Sequence, residues 1–148
     1  MGKKTEGTSK NQKIIGLATV VVFAVGVISF FYFTRSVDNQ IPDYVKGEMR
    51  ETYAWAKTEE GKSVLLSVPC YCGCTYEGHM HSYHCFWRDD GSFDKHGTTC
   101  SVCFNIAQMS KKMHEEGKTI CEIRQTVDDF YKPNAHLGTQ TPMPTQCA

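Results

Sequence analysis

Six cysteines fall within the 34 residues from Cys70 to Cys103, and three occupy alternate positions in Pro69-Cys70-Tyr71-Cys72-Gly73-Cys74. A disulfide inside a Cys-x-Cys unit closes a tiny, strained ring that is easily reduced. A chain of this kind therefore folds around a soft metal held by thiolates, or around crosslinks that reach other segments. Side chains at i, i+2 and i+4 of an extended backbone point the same way. Cys70, Cys72 and Cys74 are thus expected to converge as one thiolate face, with Gly73 letting the chain curl. Four tetrahedral ligands for Zn are available from Cys70, Cys72, Cys85 and either Cys100 or Cys103. Two or three thiolates suffice for Cu(I), with His79 or Met80 supplementary, and copper outside the cytoplasm ranks before zinc.

The chain's compartment follows from its N-terminal third. Ile14 to Phe33 is a run of 20 residues without a charge, about one helical crossing of a bilayer. Lys3, Lys4, Lys10 and Lys13 precede it, so residues 1–13 are expected in the cytoplasm and everything after the anchor at 14–34 outside. No Ala-x-Ala-like site ends the run, which argues against a cleaved signal peptide. Without residues 1–13 the net charge is −3, which excludes an electrostatic footprint for nucleic acid. It also disfavours clinging to an anionic membrane surface.

After a linker at 35–41, the pattern predicts a small, mainly α, Cys-rich ectodomain over 42–133 and a tail over 134–148. Val45, Met49, Thr52, Tyr53 and Ala56 predict a helix over 42–58, with Pro42 in its first turn and Trp55 beside the stripe. Lys62 to Ser67 reads as a short helical turn stopped by Pro69. Residues 70–99 are loop-rich and need a metal or crosslinks to pin them. Within them Asp89-Asp90-Gly91-Ser92 is a turn, and Cys85-Phe86-Trp87 is suited to a short strand. A C-terminal helical hairpin follows. Val102, Ile106, Met109 and Met113 form one stripe, ended by Gly117. Thr119 and Glu122 have capping-box spacing, and Ile120, Ile123, Val127 and Phe130 form the second stripe. The methionines read as core, and the tail as a surface strap or disordered.

Pro69–Cys74, Gly78-His79, Cys85-Phe86 and Phe93-Asp94-x-His96-Gly97-x-x-Cys100-x-x-Cys103 resemble the bacterial PCYCGC-motif protein family over about Tyr53 to Tyr131. The resemblance implies an exported, anchored Cys-rich domain and supplies no function. Many members are lipoproteins, yet here the first cysteine is Cys70, so no acceptor cysteine follows the apolar run. His79 and His96 match motif positions and are candidate ligands. Cys121 and Cys147 lie outside the pattern and are expected to form a disulfide stapling the tail to the last helix. Cys100-x-x-Cys103 and Glu116-Gly117-Lys118-Thr119-x-x-Glu122-Ile123-Arg124 also resemble the helical thiol-redox domain of cytochrome c maturation proteins, although Thr99 stands where an arginine is expected.

These residues point first to an extracytoplasmic soft-metal protein that carries, donates or holds Cu(I) or Zn. Cys70, Cys72 and Cys74 are its core ligands, completed by Cys85, Cys100, Cys103 and His79. Cys100 and Cys103 open a helix, whose dipole favours a thiolate, so thiol–disulfide exchange through that pair is the alternative. A disulfide-stapled accessory subunit of a membrane complex is the third reading. Covalent haem attachment is excluded because Phe104 follows Cys103. There is no Gly-rich phosphate loop, Gly-x-Ser-x-Gly or His-Glu-x-x-His.

Overall fold

The computed structural model describes residues 15, 20–30, 32 and 40–147, apart from the side chain of Cys74. The chain divides into two units, Met1–Asn39 and Gln40–Ala148. In the first, residues 20–30 are helical and uncharged, with Val22 and Phe23 exposed. The anchor expected at 14–34 lies partly outside the described residues. Among the described residues no helix is long and apolar enough to cross a membrane.

The second unit is mainly helical: α1 (Gly47–Lys57), α2 (Glu59–Leu66), the single turn α3 (His96–Thr99), α4 (Ser101–Glu115) and α5 (Ile120–Phe130). Short 3₁₀ turns at Cys74–Glu77, Ser82–Cys85, Lys132–Leu137 and Thr145–Cys147 fill the connections. α1 starts five residues later than its stripe suggested. Gly47 has φ +58°, outside the helical region, and the Arg50 guanidinium donates to the carbonyls of Pro42 and Val45, holding the preceding turn. α2 starts earlier than expected because Thr58 caps it, accepting from the Gly61 amide.

α4 and α5 form the expected hairpin. Gly117 ends the first helix at φ +80°, and Thr119 and Glu122 make both bonds of a capping box. Ile106, Ile123 and Val127 pack with Val64, Val68, Tyr71 and Tyr131 in the main core, with Val102, Met109, Met113 and Ile120 at its margin. Phe130 does not belong to it and is 68% exposed. The helix ends at Phe130, and Tyr131 turns inward instead, stacking on Tyr71 at 5.3 Å. Aromatic packing, not the 3.6-residue period, selects the buried ring.

A second packing centre is aromatic. Tyr53 stacks on Phe93 and meets Phe86 and Trp87 edge-on. Its hydroxyl donates to the Asp94 carbonyl, and the Trp87 indole donates to the Tyr53 carbonyl. Cys85-Phe86-Trp87 makes no strand: Cys85 closes a 3₁₀ turn, and Trp87 pairs with Phe93 in an isolated antiparallel bridge around the turn at Asp89–Ser92. Among the described residues there is no longer ladder.

The tail is an ordered strap. The Thr139 amide donates to the Cys70 carbonyl, and the Cys70 amide donates to the Thr139 hydroxyl, each at 2.9 Å. Thr141 donates to the Met80 carbonyl. Arg124, largely buried on α5, donates to the carbonyls of Ser67, Thr141 and Pro142 and pairs with Asp128. Cys121 and Cys147, expected to pair, are joined by a disulfide. Replacing Cys147 by Ser should cost up to about 3.5 kcal/mol in the chain-entropy picture. Arg124→Met should cost about 2–3 kcal/mol through its lost charged hydrogen bonds. Both variants should expose the strap to limited proteolysis, and unchanged urea midpoints with an intact strap would contradict this.

Candidate metal centre

Three segments bring their sulfur atoms to one point, and a fourth brings an imidazole beside them. The extended stretch Pro69–Cys72 leaves α2, is tied to the strap through Cys70, and is held from the other side by the Ser82 amide and hydroxyl on the carbonyls of Val68 and Pro69. Cys85 arrives from the 3₁₀ turn that Ser82 opens. Cys103 lies in the first turn of α4, and Cys100 is the residue just before that helix. α3 places His96 beside them and lets its Gly97 press against Phe86. A Cβ at Gly97 would lie 2.7 Å from that ring and 2.8 Å from the Tyr53 hydroxyl, so only glycine fits.

The sulfur of Cys70 is 3.2 Å from Cys72, 3.3 Å from Cys103 and 3.6 Å from Cys85. Cys72 and Cys103 are 3.4 Å apart. Thiolates at about 2.3 Å from a tetrahedral ion stand roughly 3.8 Å from one another, so an expansion of a few tenths of an ångström admits a soft metal. Two overlapping ligand groups result: Cys70, Cys85 and Cys103, all buried, and Cys72, His96, Cys100 and Cys103 at the surface side. His96 Nε2 is 3.6 Å from Cys72, and His79 Nδ1 is 3.5 Å from Cys85. Cys72 is disulfide-bonded in this structure, whereas Cys85, Cys100 and Cys103 carry thiols.

The sequence-predicted set is therefore brought together in two parts. Cys103 faces the inner group and Cys100 only the outer one. The expected alignment of Cys74 with Cys70 and Cys72 falls outside the described side chains; Gly73 between them has φ +77°. Cys74 begins a 3₁₀ turn, and its side chain lies outside the described residues. Met80, named as a supplementary ligand for Cu(I), is 56% exposed. His84 is committed elsewhere. Its Nδ1 accepts from the Met80 amide, so Nε2 carries the proton and donates to Asp89 at 2.9 Å. His136 is exposed, and His114 lies against Trp55.

Asp94 supports the site, a role not assigned from sequence. One carboxylate oxygen accepts from the His96 amide at 2.8 Å. The other faces His79 Nε2 at 3.8 Å and is held in a close ion pair by Arg88. That imidazole nitrogen is buried without a hydrogen-bond partner. Burial, followed by the Arg88 charge, pushes the His79 pKa down, leaving the ring neutral and fit to ligate. The carboxylate thus stands near the His79 ring at 3.8 Å, beyond the hydrogen bond by which such a group orients a ligating imidazole. The readable signal was the Asp-x-His spacing of Asp94 and His96, which lets an aspartate cap the next turn.

Charge is unevenly shared among the thiols. Hydrogen bonds from Cys103 and Cys85 hold the Cys70 thiol well below the ordinary thiol range, against the opposing effect of burial. The hydrogen bond to Cys70, then that to Cys85, and then burial push the Cys103 thiol far upward. Cys70 is thus the sulfur of the inner group on which negative charge is most favoured.

The model of one protein family, described as a protein of unknown function with PCYCGC motif, matches residues 32–144. No curated protein and no solved structure matches the chain, so the likeness to cytochrome c maturation proteins is unsupported.

A folded-state value below the unfolded one contributes stability that is complete above the unfolded pKa and is lost as pH falls. Metal-free protein should therefore gain stability between pH 7 and 8.5, by up to about 1.4 kcal/mol per pH unit from one proton. Cys70→Ser should flatten that slope in urea titrations. A flat wild-type profile, with no thiolate ultraviolet absorbance at neutral pH, would contradict the assignment.

Proposed function

Because the chain belongs to the PCYCGC-motif family, whose description assigns no function, we propose from its thiol cluster that the protein binds a soft metal outside the membrane. Cu(I) is favoured before Zn, and the role is that of carrier, donor or holder. The observation that carries this reading is the buried convergence of Cys70, Cys85 and Cys103, whose ligand atoms lie within 4.8 Å of one another. Three thiolates in an apolar surround satisfy Cu(I) at low coordination, whereas Zn asks for four donors. Negative charge favoured at Cys70 lowers the cost of admitting a cation. A cleft of about 490 Å³, lined in part by Arg88, Asp94 and His96, offers a route for exchange with an acceptor protein. The exposed apolar side chains at Val20–Phe30 support anchoring in a membrane.

Thiol–disulfide exchange is the second reading, favoured by one contact: the disulfide-bonded Cys72 touches the sulfurs of Cys70 and Cys103. The pair first indicated by sequence is the weaker nucleophile, since the Cys103 thiol is buried and its pKa raised. Cys70, equally buried but with its thiol pKa lowered, has the greater thiolate character.

Cys103→Ser should lower Cu(I) affinity by more than about tenfold, the smaller end of what losing even an indirect partner of a metal ligand costs. Met80→Leu should leave affinity unchanged. Equal affinities for wild type and Cys103→Ser in chelator competition would sink the proposal.

A further inference from the structure

The two ligand groups are not alternatives. They share Cys103 and otherwise use different residues, Cys70 and Cys85 on one side and Cys72, His96 and Cys100 on the other. Each is complete enough for a soft ion: three thiolates inside, three sulfurs and an imidazole outside. They also differ in condition. The inner residues carry thiols, while Cys72 is disulfide-bonded and cannot ligate as a thiolate. Cys72 is also the more accessible, half-buried against the fully buried Cys70, Cys85 and Cys103. A reductant therefore meets Cys72 before it meets the inner thiols.

Resting on the soft-metal reading above, we infer that the centre takes two soft-metal ions bridged by Cys103, and that reduction of the Cys72 disulfide opens the second position. A dithiol reductant breaks the Cys72 S–S bond by delivering two electrons and two protons. It leaves two thiols on the protein and becomes a disulfide itself. Cys72 then loses its proton as the second ion binds with His96, Cys100 and Cys103. The protein holds one ion under oxidising conditions and two under reducing ones. Shared thiolate ligation keeps the ions within about 4.6 Å, twice a metal–sulfur bond. The outer ion lies beside the cleft lined by His96 and Asp94, so it is the exchangeable one.

The test titrates the full chain, in detergent, with Cu(I) delivered from a coloured chelator complex. One sample keeps its disulfides. A second is reduced with a phosphine, which takes oxygen from water to become the phosphine oxide, and is then freed of it. One Cu(I) per chain should bind before reduction and two after, with metal–metal scattering in X-ray absorption of the reduced sample only. His96→Ala and Cys100→Ser, made separately and checked by circular dichroism, should each return the reduced protein to one. One ion in reduced wild type would overturn the bridged pair and leave the metal reading standing. Two ions before reduction would overturn the gate. Two ions in both reduced variants would assign the second ion elsewhere, such as to the thiols released from Cys121 and Cys147. No Cu(I) in any sample would defeat both this inference and the reading on which it rests.

Discussion

The contact between the sulfurs of Cys70 and Cys103, 3.3 Å across 33 residues of sequence, is the constraint on which the rest of the domain depends. It joins the extended segment after α2 to the first turn of α4. Between these points lie loops, short 3₁₀ turns and the single turn α3, with few apolar side chains to order them apart from the ring cluster around Tyr53. The sulfur junction closes that long loop at its base. The aromatic cluster stiffens its middle, and the strap from Thr139 to Cys147 presses on it from outside.

The same junction explains why polar groups are tolerated at such depth. Two main-chain bonds with Thr139 satisfy the backbone of Cys70, and Asp94 and Arg88 sit behind the two histidines. Among the described residues the buried Nε2 of His79 is one of the polar atoms without a hydrogen-bond partner, and it lies close to the crowded sulfurs. An apolar core would be cheaper to fold than this arrangement.

Much of this was readable from the residues. Helical periodicity, Gly117 and the capping box placed the hairpin, because those are local interactions with fixed spacing. The Cys-x-Cys unit pointed to the segment whose Cys70 and Cys72 sulfurs meet those of Cys85 and Cys103. Other features depended on contacts between segments distant in sequence. The inward turn of Tyr131 in place of Phe130 follows from stacking on Tyr71, 60 residues away. The split of Cys100 from Cys103 depends on where α4 begins. The positive φ at Gly73, which starts the 3₁₀ turn after it, is a backbone feature that spacing alone does not reveal. Asp94 was visible as a motif residue, but its support of both histidines needed the fold.

The most direct test of the central claim is elemental analysis of the natively purified protein, with thiols counted on the same sample before and after chelator treatment. A near-stoichiometric soft metal, together with several thiols that become reactive only when it is removed, is the result expected of a thiolate centre. A metal-free protein whose thiols are fully reactive, or fully oxidised, from the outset would contradict it.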